Sequence, residues 1–166
     1  MRKILFMVLL VSTVIVSGCV SDEPQFKSFS DGTLNFTYPA SWETFKPESA
    51  QSAFTKEPGI SKDVIVYVGN NSHGFAVAKV TARSGYYLKD AETVKNQMAK
   101  NEGVKSAEIR SIAGRNAAVV TATDATTRTT FAYIKLSRTS GYAFMYESPV
   151  SDTATFESII SSAKIT

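Results

Sequence analysis

Several stretches of this chain place apolar residues on both faces of an extended backbone. Val64, Val66 and Val68 interleave with Ile65 and Tyr67, and Phe131 and Tyr133 interleave with Ala132, Ile134 and Leu136. Side chains along a strand point alternately to the two faces of a sheet, so a sheet with one wet face shows a polar residue at every second place. Strands that are apolar on both faces need cover on both sides. The chain is thereby constrained to a layered fold, with a sheet in the middle and other elements packed above and below it.

Turn signals divide the remaining strands. Phe26–Ser30 and Leu34–Tyr38 flank Asp31-Gly32, a strong hairpin signal. Val64–Val68 and Phe75–Thr81 flank the polar loop 69–74, and strands at Lys105–Ile112, Asn116–Thr123, Thr127–Ser137 and Tyr142–Ser148 follow at short spacing. Short connections make neighbouring strands antiparallel. Two stretches carry helical periodicity. Leu88–Lys100 sets Leu88, Ala91, Val94 and Met98 on one face, with Asp90 near its start and Gly103 just past its end. Asp152–Ala163 spaces Phe156, Ile159, Ile160 and Ala163 at i, i+3, i+4 and i+7, with Asp152 as the expected N-cap. A short third helix is expected within Glu48–Phe54. The fold class that follows is α+β: an α/β/α sandwich with a central twisted, mainly antiparallel sheet between helical layers.

The start of the chain has a different character. Arg2 and Lys3 precede an apolar run from Ile4 to Val16, and Val16-Ser17-Gly18-Cys19 follows. The run is too short for a spanning helix, which needs about 20 residues. Charge, apolar run and small residues, in that order, read as a secretory leader over residues 1–18. A cysteine directly after two small residues resembles the lipobox of prokaryotic lipoproteins. The expectation is cleavage between Gly18 and Cys19 and a diacylglycerol on the Cys19 thiol, whose two acyl chains anchor stably where one would not. Residues 19–25 would then be a short tether, reaching at most about 25 Å when extended, and 26–166 the folded domain. The expected location is the extracytoplasmic face of the cell membrane, lipid-anchored through Cys19.

Composition excludes several classes of function. The formal charge is +3, but Arg2 and Lys3 supply two of the 18 basic residues, leaving a near-neutral chain after cleavage. That gives no electrostatic footprint for nucleic acid. Cys19 is the single cysteine and His73 the single histidine, too few for a disulfide or for a typical zinc site. No metal and no cofactor is expected. His73 stands in the Asn-Asn-Ser-His-Gly loop without a G-x-S-x-G elbow nearby, and is expected to be a solvated loop histidine. No catalytic set is expected. Tyr86-Tyr87 precede the first long helix and are the candidate partner-binding residues. Tyr142, Phe144 and Tyr146 share one face of the last long strand and are expected in the core. Asn70-Asn71-Ser72 is a sequon in a loop expected to be exposed, which makes Asn70 a candidate glycosylation site.

One stretch carries a family resemblance. Leu34-Asn35-Phe36-Thr37-Tyr38-Pro39-Ala40-Ser41-Trp42 resembles the strand–Tyr-Pro–x-x–Trp signature near the start of PsbP-like domains, and the last helix with Ser162-Ala163-Lys164-Ile165 resembles the way such domains close. The resemblance implies a PsbP-like fold over 26–166 in a prokaryotic lipoprotein, and implies no enzyme. Read physically, Pro39 ends its strand and Trp42 turns back to cover the sheet. The expected function is a membrane-anchored, non-catalytic protein-binding or envelope-assembly module. A small-ligand or ion-binding lipoprotein is the alternative, and a hydrolase of envelope polymers the remote one.

Overall fold

A computed structural model describes residues 25–166. The expected leader, Cys19 and all of the tether but Gln25 lie outside them. The described chain is a mixed α+β fold, mostly antiparallel sheet. Its strands are β1 (Phe26–Ser30), β2 (Leu34–Pro39), β3 (Glu43–Thr44), β4 (Ile60–Gly69), β5 (Gly74–Ala82), β6 (Val104–Ile112), β7 (Arg115–Thr123), β8 (Thr127–Lys135), β9 (Ser140–Pro149) and β10 (Lys164–Ile165). Helix α1 spans Ala91–Met98, α2 spans Thr155–Ser162, and a 3-10 helix covers Pro47–Ala53.

Seven strands form the large sheet, in the order β3-β4-β5-β9-β8-β7-β6. The doubly apolar segments occupy its interior, where both faces are indeed covered. On β9, Tyr142, Phe144 and Tyr146 point to one face and Ala143 to the other, and all four are buried. On β5 the same alternation separates Phe75 and Val77 from Ala76, Ala78 and Val80. The aromatic triplet of β9 is core, as expected from its period of two. One residue, Ile65, is extra in β4: Val64 pairs with Ala78 and Val66 with Val77. The bulge breaks the expected alternation: Val64 packs with Tyr67 on the alanine-rich face, while Ile65, Val66 and Val68 pack on the other.

The two covers differ from the expected pair of helical layers. One face is covered by α1 and the 3-10 helix, whose Leu88, Ala91, Ala50 and Phe54 neighbours pack on the alanine-rich side of the sheet. The other carries α2 together with a second, three-stranded sheet of order β1-β2-β10. Its middle strand buries Leu34, Phe36 and Tyr38 at alternate positions. A three-stranded sheet can do this because β2 is apolar on one face alone, which suits a cover with water on its far side. Trp42 closes the same layer at 3% exposure, its backbone N–H donating to the Pro39 carbonyl at 3.0 Å. Tyr38 and Trp42 thus form the expected core corner.

Both helices are shorter than their periodicity suggested. Asp90 caps α1, its Oδ1 accepting the Thr93 N–H at 2.7 Å, so Leu88 lies before the helix. Asp152 is not the N-cap of α2, a place taken by Ala154. Its Oδ1 instead accepts the N–H groups of Ala154 (3.0 Å) and Thr155 (3.1 Å) from two residues upstream. The carboxylate still satisfies orphan donors of the first turn, in an Asx-turn geometry.

Candidate functional site

The site builds from a turn. The backbone leaves β5 at Ala82 and turns at Arg83-Ser84-Gly85-Tyr86, with the Tyr86 N–H donating to the Arg83 carbonyl at 3.0 Å and Gly85 at φ +84°. Glycine at the third place of such a turn supplies the left-handed conformation that the type II geometry requires. The turn delivers Tyr86 and Tyr87 to the surface at 48% and 59% exposure. Tyr86 lies over Gly59, which is itself at φ +73°. A Cβ there would collide with the ring. Tyr87 is held by Arg138, whose guanidinium carbon stands 4.1 Å from the ring centroid, a cation–π contact.

Beneath the two tyrosines lies a cavity of about 480 Å³, between the alanine-rich face of the large sheet, α1 and the segment after the 3-10 helix. Val80, Phe131, Tyr133 and Ala143 form its floor, and Phe54, Leu88, Val94 and Met98 its walls. The volume falls within the range typical of small-molecule sites, about 300–1,000 Å³. Ala143 is the small sheet residue that lines it, on a face rich in alanine, where the opposite face carries phenylalanine and tyrosine. The one polar group on the floor is already satisfied. The Tyr133 hydroxyl donates to the Lys89 carbonyl at 3.0 Å. Burial, aided by Glu57 and Asp90, pushes that hydroxyl up to about 12, so it remains a donor at neutral pH.

Tyr86 and Tyr87 therefore share one site, and the structure adds residues that sequence reasoning missed. Phe131, Tyr133 and Met98 read as ordinary core positions. Phe54 lay in a weak helical signal. Lys89 gave no signal. A larger and more open groove of about 700 Å³ runs between the start of α1 and the β6–β7 hairpin, lined by Asp90, Glu92, Arg115, Asn116 and Lys135 among others. It lacks an aromatic side chain and is the weaker candidate for burying a ligand.

His73 is not the solvated loop residue that its sequence neighbours suggested. Its ring stacks on Trp42 at 6.0 Å and on Tyr146 at 6.2 Å, and Nε2 stands 3.3 Å from Asp152 Oδ2. The Tyr146 hydroxyl donates to the same Oδ2. Contacts across 79 residues of chain leave no local mark in a sequence. On its other side, His73 Nδ1 is 3.1 Å from Ser72 Oγ and 3.2 Å from Asn70 Oδ1. A hydroxyl, an imidazole and a carboxylate thus stand in line, in the order of a nucleophilic triad. Here they clamp the tip of the β4–β5 hairpin to the start of α2. Asn70 is exposed in that tip, as expected of an acceptor loop, and its Oδ1 accepts the N–H groups of Ser72 and His73 at 2.9 Å each. Among the described residues no group of three or more His, Cys, Asp and Glu could hold a metal ion, and no helix is long and apolar enough to cross a membrane.

A solved structure of a protein from Bacteroides thetaiotaomicron VPI-5482 is similar to this chain, with a TM-score of 0.54 over 86% of it and 16% sequence identity. This chain spans about half of that one, 49% of its length. Identity at that level speaks for the fold alone. No family model and no curated protein matches the chain.

Proposed function

We propose that this protein is a non-catalytic binding module, held at the extracytoplasmic face of the membrane by a lipid on Cys19, with the cavity under Tyr86 and Tyr87 as its binding site. The observation that carries the reading is the combination of an apolar floor with two exposed aromatic side chains at its rim. Exposed tyrosines cost apolar surface in water and are enriched where partners bind. Each of the two is fixed rather than free, Tyr86 by the fit on Gly59 and Tyr87 by Arg138. A preformed rim reduces the ordering cost of binding. The experiment is uptake of a neutral apolar fluorophore, N-phenyl-1-naphthylamine, by wild type and by Tyr86→Ala/Tyr87→Ala. Saturable uptake that the double variant loses, with the melting temperature unchanged, is the expected result. No uptake by the wild type overturns the reading. Intact mass and membrane partitioning, beside Cys19→Ser, test the anchor: a chain beginning at residue 19 plus lipid is expected, and an unlipidated wild type would remove it.

The PsbP-like assignment belongs to the same proposal. Its support is the buried Tyr38–Trp42 corner and the α2–β10 closure against β2, where Lys164 pairs with Asn35 and Ile165 with Leu34.

A second reading, hydrolysis of an envelope polymer, draws on one observation, the Ser72–His73–Asp152 line. Ser72→Ala would abolish any hydrolysis that the protein performs through it. Unchanged turnover in that variant removes the reading.

A further inference from the structure

We infer that the cavity takes an amphiphilic anion, a molecule with an apolar body and a carboxylate-type head. The inference rests on the binding reading above and names its ligand class. The body follows from the floor. Val80, Phe54, Leu88 and Ala143 are buried apolar groups, and the Tyr133 hydroxyl is spent on the Lys89 carbonyl. A polar group seated at that depth would lose its water without gaining a partner, at a cost of a few kcal/mol.

The head follows from charge at the rim. The lining residues include one acid, Glu57, and two bases, Lys62 and Lys89. Glu57 is already taken, since the Lys62 ammonium pairs with it at 3.0 Å and also donates to the Thr55 carbonyl at 2.8 Å. Lys89 is different. Its ammonium donates to the neutral Gln97 Oε1 at 3.0 Å. An ammonium carries three donors, so this leaves capacity and a full charge. Arg138 adds a second cation beside Tyr87. Neither Lys89 nor Arg138 forms an ion pair among the described residues. Arg138 lies outside the cavity lining, so an anionic head at the rim meets Lys89 first, with Arg138 behind Tyr87 as the second cation, while its body lies on the floor. Lys89 also joins the two parts physically, because its backbone carbonyl is the partner of Tyr133 and its side chain stands at the mouth.

The test uses the full chain and two probes of equal chain length, decanoate and decanol, each displacing N-phenyl-1-naphthylamine. Decanoate is expected to displace the dye at lower concentration than decanol. The preference should shrink about two- to fivefold in Lys89→Gln, the size of one surface ion pair, and should fade with added salt for decanoate alone. Lys89 is exposed, so the variant folds as the wild type does, and an unchanged melting temperature is the check. Equal displacement by the two probes, or a preference that survives Lys89→Gln/Arg138→Gln, overturns the anionic head while leaving the cavity as a binding site. Absence of dye uptake overturns both readings together. Dye release on raising the protein concentration, with neither probe effective, would seat a second copy of the chain in the cavity and overturn the inference as well.

Discussion

The Tyr133 hydroxyl donates to the Lys89 carbonyl at 3.0 Å, joining β8 to the residue just before the cap of α1. That one bond fixes where the floor of the cavity ends and where its rim begins. It also explains why a tyrosine, rather than a phenylalanine, stands in an alanine-rich layer. The bond spans 44 residues, so it holds the α1 segment to the sheet by something more specific than apolar contact.

Replacing Tyr133 by Phe keeps the ring and deletes the bond. A net hydrogen bond contributes about 1 kcal/mol, and a loss of that size in a domain of this length lowers the melting temperature by about 2–4 °C. Calorimetry of Tyr133→Phe should show that fall, together with faster amide exchange over Lys89–Thr93. A variant that melts with the wild type would show the bond to be idle.

Gly59→Ala should disturb the rim more than its size suggests. The position needs φ +73°, and the new methyl would meet the Tyr86 ring. Left-handed backbone at a non-glycine residue costs about 1 kcal/mol or more. The expected outcome is destabilisation of about 1–2 kcal/mol and loss of dye uptake. Gly85→Ala should strain the Arg83–Tyr86 turn without a steric clash, since nothing stands near its Cβ.

Acid should loosen the start of α2. Partial burial alone would raise the Asp152 carboxyl. The Tyr146 hydroxyl and the N–H groups of Thr155 and Ala154 outweigh it and hold the group at about 2. A carboxyl in the unfolded chain titrates near 3.9. With the folded value depressed, the contribution to stability is present above about pH 4 and is lost as pH falls through about 2. Asp31 is lowered in the same sense: burial opposes, while the Leu34 and Thr33 N–H groups and the Tyr142 hydroxyl prevail. Carboxyl carbon NMR should find Asp152 titrating well below its usual range, and Tyr146→Phe should bring it upward. An Asp152 that titrates near 4 in the wild type contradicts the account.

Trp42→Ala should be among the most damaging single changes. The ring is 3% exposed, stacks on Tyr146 at 6.3 Å and on His73 at 6.0 Å, and closes one whole layer. Truncating a buried aromatic ring costs about 3–5 kcal/mol. Chemical denaturation of the variant checks it. As the single tryptophan, Trp42 also reports on its own layer, and its emission should be blue-shifted in the native protein and move to the red on unfolding.

Much of the sheet was legible because its signals are local. Alternation in 64–68 and 131–136 located β4 and β8, and Asp31-Gly32 located the first hairpin. Period-two aromatics placed Tyr142, Phe144 and Tyr146 in the core. The second sheet was not legible, because pairing of β10 with β2 joins Lys164 to Asn35 and no pattern in either segment announces the other. The same limit hid the candidate site. Tyr86 and Tyr87 stood out as adjacent aromatics, whereas the space beneath them depends on Val80 and Ala143, which come from the paired strands β5 and β9. His73 was misread for a related reason: polar neighbours predict water, and the stacking rings come from β9 and from the turn at Trp42.

The first described residue, Gln25, is fastened to the domain by its carbonyl, which accepts the Ala40 N–H at 3.0 Å. It therefore joins the small sheet, across the large sheet from the cavity. A pull on that end is borne by the β1–β2 ladder, and α1 and the 3-10 helix lie outside the load path. The molecule can be gripped from behind without its mouth being bent out of shape.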